Sequence, residues 1–227
     1  MYFILIIFAI AGWLVSNNLK KKAKKISKIF LENGMTGKNI AEKMLYDNGV
    51  YDVQVIVSDG ILTDNYNPSN KTISLSKATY TENNVFAAAV AAHETGHALQ
   101  HATAYTPLNI RSALVPVVSF SAKWVQWIIL SGLLLIWNGS KIGDSILLTG
   151  IGLFAIITLF SFITLPVEIN ASTRALAWLN RSGIITSRNH SAAEDALKAA
   201  AYTYVVAALG SLATLLYYVT IYMNRRD

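Results

Sequence analysis

The chain has 227 residues, 53% of them hydrophobic and only 14% charged, where soluble domains carry about 25% charged residues. With a mean hydropathy of +0.40, this excludes an ordinary soluble domain and points to a membrane protein of one domain or two. Cysteine is absent, which excludes disulfides and thiolate metal ligands, and the net charge of +6 gathers near the N-terminus, where it bears on membrane topology rather than nucleic acid.

Met1 to Ser16 is apolar and uncharged, and Asn17 to Leu19 extend it toward the roughly 20 residues of a membrane span. A signal peptide would carry its positive charge before the apolar run. Here the charge follows, at Lys20, Lys21, Lys22, Lys24, Lys25 and Lys28. The expectation is a retained anchor, 1–19, with its N-terminus outside and Lys20 onward in the cytoplasm. The Lys run suits solvent or anionic lipid headgroups. Residues 36–48 predict a short amphipathic helix with Ile40, Ala41, Met44 and Leu45 on one face, stopped by Asn48-Gly49. Residues 51–57 alternate roughly and 71–76 strictly, with Ile73 and Leu75 on one face, so both read as strands. Asp59-Gly60 marks a turn and 65–70 a polar loop. A small antiparallel sheet is expected, either a plain stabilising hairpin or one whose edge holds an extended substrate.

Next comes Ala87 to His101, AAAVAAHETGHALQH, which contains the H-E-x-x-H pattern His93-Glu94-Thr95-Gly96-His97. On an α-helix, residues four apart fall about 40° apart around the axis and about 6 Å along it. Both imidazoles then face one way and can grip one metal ion. Glu94 follows the first of them, close enough to act on a water. Two His and a carboxylate base are the helix-borne metalloprotease signature. Polar caps at Thr81-Glu82-Asn83-Asn84 and an Ala-rich run with no Pro before Pro107 favour the helix. Gly96 costs a helix roughly 1 kcal/mol against Ala, and its missing side chain lets another backbone or a substrate come close. The chain has four His, and three of them, His93, His97 and His101, fall on this stripe, which favours a metal site over an incidental helix. His101 lies about 12 Å along the axis from His93, beyond the span of ligand bonds near 2 Å, and takes a supporting or surface place.

Residues 105–111 read as a connector. Ala113 to Trp137 is apolar, interrupted by Lys123 and Gln126, with Trp124, Trp127 and Trp137 at interface positions. A short polar hairpin, 138–145, leads to 146–165, 20 residues without a charge and the clearest span. Ser191-Ala192-Ala193-Glu194 resembles a capping box at the foot of a last span, 200–223, with tyrosines at both ends. The organisation expected is an anchor (1–19), a cytoplasmic metalloprotease portion with the sheet and the H-E-x-x-H helix (20–112), a transmembrane hairpin (113–166), a cytoplasmic helix (167–199) and a C-terminal span (200–227). Arg225 and Arg226 then lie outside. The fold class is a mainly α membrane protein with about four transmembrane helices and a small α+β, zincin-like portion.

A catalytic zinc takes three protein ligands and leaves one position open. Without Cys, the third is a carboxylate or His190. Glu168 follows Pro166 at the end of the clearest span and opens a helical pattern that stops near Ser182-Gly183. As an alternative, Glu168 is simply an acidic first-turn residue favoured by the helix dipole, and His190 stands in a polar loop.

Three stretches carry a resemblance along almost the whole chain. They are Leu62-Thr63-Asp64-Asn65-Tyr66-Asn67-Pro68 leading into Lys71 to Ser76, Ala91 to His101 followed by Arg111 to Pro116, and Leu165-Pro166-Val167-Glu168-Ile169-Asn170-Ala171-Ser172. In this order they resemble the bacterial membrane-bound neutral zinc metallopeptidase family (YugP-like). The resemblance implies a gluzincin, with Zn2+ on His93, His97 and Glu168 and with Glu94 as base. The pattern at 168–172 is also similar to the E-x-x-A-D of the heat-shock and prenyl-protein membrane metallopeptidases. Ser172 stands where those have Asp, so in place of a carboxylate Asn170 or a backbone carbonyl would orient a ligand His, and Ser172, Asn170 and Arg174 are the candidates for a supporting or oxyanion-binding place.

The function expected is metal-assisted hydrolysis of peptide bonds in proteins or peptides near the bilayer, with the site on the cytoplasmic face of the bacterial inner membrane. Arg174 and Tyr105 are candidate oxyanion donors, or else a solvated cation and a packing aromatic. The rivals are a catalytically silent metal-binding scaffold or chaperone, against which an intact Glu94 argues, and a metal transporter. The latter would need ionisable groups within its spans, and 146–165 has none.

Overall fold

The computed structural model describes residues 2–60 and 62–224, so Met1, Arg225 and Arg226 lie outside it. Its elements are α1 (Tyr2–Ile26), α2 (Gly37–Asp47), β1 (Gln54–Ser58), β2 (Asn65–Asn67), β3 (Thr72–Ser76), α3 (Lys77–Thr81), α4 (Val85–Ala102), α5 (Thr106–Trp137), α6 (Ile142–Arg181) and α7 (His190–Met223). The described residues form two compact units, one within 14–109 and 166–203, the other within 2–13, 110–165 and 204–224.

In the first unit α2 and α4 begin where side chains cap them. Thr36 opens α2 with a reciprocal capping box to Asn39, and Asn84 opens α4 by accepting from Ala87 N at 2.8 Å, each supplying a partner to an orphan backbone N–H. The start of α4 is also strapped to the chain leaving α1: Val85 N donates to Ile29 O and Leu31 N to Asn83 O, both at 2.8 Å. The expected apolar face of α2, Ile40, Ala41, Met44 and Leu45, is buried in one core with Ile26, Leu31, Ile73, Leu75 and the alanines of α4. Small alanines let neighbours close on α4 from several sides, so most of this helix is buried.

The sheet differs from the expected antiparallel hairpin. Its order is β1-β3-β2; β1 pairs with β3 in parallel, Val55 opposite Ile73, and β2 pairs with β3 antiparallel, Tyr66 opposite Ile73. The polar stretch read as a loop supplies β2. A tight turn, with Lys71 at φ 53° and Asn67 Oδ1 accepting from Ser69 N, folds β2 onto β3. That occupies one edge of β3, and β1 pairs with the other.

Three helix boundaries also differ. The helix α5 begins at Thr106, because Pro107 sits in a first turn that needs no N–H from it; 105–111 is therefore mostly helix. The helix α6 runs unbroken through Pro166, so Glu168 continues a helix rather than opening one; a proline in an apolar helix is tolerated where its surroundings satisfy the freed carbonyl. The helix α7 begins at His190, which places Ser191 inside its first turn instead of at a cap.

In the second unit Val125, Ile129 and Ile136 of α5 pack on Leu147 and Ile151 of α6. Gly132 makes this approach close: a Cβ there would stand 2.7 Å from Leu147 N. Large apolar residues such as Trp127, Leu159 and Leu216 remain exposed. Among the described residues three helices, α5, α6 and α7, are long and apolar enough to cross a membrane.

Candidate metal centre

His93 and His97 project from α4, and Glu168 comes from the part of α6 in the same unit. What lets the two helices meet is Gly96. A Cβ on Gly96 would stand 2.7 Å from Ala171 O and 3.1 Å from Ala171 Cα, so the backbone of the Glu168 helix occupies the space a side chain would fill.

Glu168 Oε2 lies 3.2 Å from His93 Nε2 and 3.5 Å from His97 Nε2. The imidazole centroids are 4.8 Å apart with planes at 83°, and one ligand atom from each of the three residues lies within 4.8 Å of the others. In a tetrahedral zinc site with bonds near 2.0–2.1 Å, ligand atoms stand about 3.3 Å apart. Both His–Glu separations already have that length. The donor set, two imidazoles and a carboxylate without thiolate, fits a hydrolytic zinc that keeps one position open.

Both imidazoles are held from behind by their other nitrogen. Ser172 Oγ is 3.0 Å from His93 Nδ1, and Gln100 Oε1 is 3.0 Å from His97 Nδ1. Of the supporting candidates, Ser172 meets a ligand candidate directly, and the group behind the other His is an amide rather than Asn170 or a backbone carbonyl. Asn170 sits one step further out: its Oδ1 accepts from Gln100 Nε2 at 3.1 Å and from Arg174 Nε at 2.8 Å. Sequence reasoning missed Gln100; its position three residues after His97, one turn along the same helix, was the available signal.

The remaining candidates stand elsewhere. The guanidinium of Arg174 lies over the Tyr105 ring, 6.0 Å from its centroid, a cation–aromatic pairing anchored by Asn170. His101 Nδ1 meets Tyr66 Oη at 2.8 Å and ties β2 to the end of α4. His190 is bonded to Asn180 Oδ1 at 2.8 Å and does not join the cluster.

Glu94 is buried beside these three residues. Burial pushes its carboxyl above the usual carboxylate range, and the fields of His93 and His97 offset part of that. Burial disfavours a charge on His97, yet its hydrogen bond with Glu168 and the field of Glu94 outweigh it and raise His97 above its ordinary value.

The family described as "putative neutral zinc metallopeptidase" matches residues 1–223. The "putative membrane protease YugP" of Bacillus subtilis (strain 168) is 40% identical over 211 residues, covering 92% of this chain and 90% of that protein. No solved structure matches the chain.

Proposed function

Since the chain belongs to the neutral zinc metallopeptidase family, we propose that it is a membrane-embedded, gluzincin-type zinc endopeptidase that hydrolyses peptide bonds of membrane-associated proteins or peptides at the cytoplasmic face. The observation that carries this reading is the convergence of His93, His97 and Glu168, with both His–Glu separations at zinc-site length and the buried carboxylate of Glu94 beside them.

A zinc ion held by these three residues would polarise a scissile carbonyl and lower the pKa of a water beside it toward about 7. Glu94, whose burial raises its proton affinity, accepts the proton of the attacking water and returns it to the leaving amine. Ser172 and Gln100 keep the imidazoles aimed inward. The short edge strand β2, tied to α4 through Tyr66 and His101, offers a place for an extended substrate strand. In this reading the apolar start of α1 is a fourth span in addition to α5, α6 and α7, and the Lys run after it supports a cytoplasmic site.

The test is the metal content of the detergent-purified protein. About one zinc per chain, lost in Glu168→Ala and kept in His190→Ala, supports the reading. Full zinc in Glu168→Ala would falsify the gluzincin assignment. Zinc bound without any hydrolysis by the wild type would favour the silent scaffold.

A further inference from the structure

Gln100 is fully buried, and the amide that backs His97 is bonded on both sides. Its Nε2 donates to Val167 O at 2.8 Å. A backbone carbonyl accepts only, so that end of the amide must be the nitrogen. The same Nε2 reaches Asn170 Oδ1, which also accepts from Arg174 Nε and is thereby fixed as oxygen. The end facing His97 Nδ1 at 3.0 Å is therefore Oε1, an acceptor with no proton to give.

We propose that Gln100 is a positioning residue that locks His97 in its Nδ1–H tautomer, so that its Nε2 lone pair always faces the metal position. The inference rests on the metal reading of the site. His97 Nδ1 must supply the proton of the Gln100 bond, and a neutral imidazole carrying it on Nδ1 has its free pair on Nε2, the atom 3.5 Å from Glu168 Oε2. The other ligand lacks such a lock. His93 Nδ1 meets the hydroxyl of Ser172, which donates or accepts by rotating, so either tautomer of His93 is satisfied. The pair is asymmetric: His97 is set before a metal arrives, and His93 is set by it. The lock takes its direction from Val167, only one residue before Glu168, so the segment that delivers the third ligand also dictates the tautomer of the second.

The test is zinc affinity of the full-length, detergent-purified chain by competition with a chromophoric chelator, with thermal unfolding alongside. Gln100→Met keeps the length and removes the acceptor; its zinc affinity is expected to fall about 10–100-fold. Gln100→Glu keeps an oxygen toward His97 and loses the amide donor to Val167 O; it is expected to bind zinc within about threefold of wild type while unfolding at lower temperature. That split separates a tautomer lock from a strut between helices, which would lower stability in both variants and leave affinity alone. Wild-type affinity in Gln100→Met, or equal losses in both variants, overturns the proposal. Should Gln100→Met not fold, Gln100→Glu decides alone, and a tenfold or greater loss (about 1.4 kcal/mol) overturns it. A wild type that binds no zinc overturns the metal reading itself, and this inference with it.

Discussion

The two units treat apolar helix in opposite ways. In the unit that holds the His93, His97 and Glu168 cluster, α4 is apolar because it is rich in alanine, and it is buried among α2, the sheet and the Glu168 segment. In the other unit the stretches of α5, α6 and α7 that it contains are apolar because they carry large side chains, and many of those are exposed. Hydropathy alone treats both as greasy helix. Side-chain size separates them: alanine permits close approach of other backbone, whereas exposed leucine, isoleucine and tryptophan on helices of this length call for lipid. The difference also separates two kinds of constraint. A polar group in the first unit is answered by a named protein atom, as Gln100 is by Val167 and Asn170; a large apolar side chain in the second is answered by solvent of the right kind.

The strongest way to break this comparison is to remove a ligand. His97→Ala or Glu168→Ala should bring zinc from about one per chain to near zero and abolish hydrolysis, read by elemental analysis and a peptidase assay; residual zinc would mean that the first unit does not depend on its polar cluster as described. Glu94→Gln should keep zinc and lower kcat by about 10²–10⁴-fold, which steady-state kinetics would show. Glycine offers a sharper contrast, because one substitution should have opposite signs in the two units. Gly96→Ala meets the Ala171 backbone and should destabilise by about 1–3 kcal/mol. Gly152→Ala, on an exposed face of α6 with nothing within 4 Å of the added Cβ, should stabilise by up to about 1 kcal/mol through helix propensity. Thermal unfolding in one detergent checks both, and equal shifts would erase the distinction. The smallest effect expected is for Leu216→Ala, at an exposed position of α7, within about 0.5 kcal/mol by the same measurement.

Much of the candidate site was legible because it rests on local rules. The spacing of His93 and His97 depends only on helical geometry, and Gly96 announced a close approach before its partner was known. The partner, Ala171, was not legible, since nothing local records which backbone arrives. Gln100 was overlooked for the same reason: its meaning depends on a carbonyl 67 residues away in the chain. In the fold, the amphipathic face of α2 was readable from its period. The strand β2 was not, because Asn65-Tyr66-Asn67 carries little strand propensity of its own and takes its conformation from β3. The unbroken passage of α6 through Pro166 was hidden by the general rule that proline ends helices, a rule the apolar setting overrides.

The strap between the end of α1 and the start of α4 bears on how the molecule can be trimmed. Ile29 O receives the N–H of Val85, and Leu31 N reaches Asn83 O, while Ile26 and Leu31 are part of the core beneath α4. Cutting the chain at Gly34, where the lysine-rich segment looks dispensable, would leave the metal helix with an unanswered first N–H and an opened core. A shortened version meant to shed the apolar N-terminus must instead begin near Leu14, keeping the lysines and the 29–31 strap.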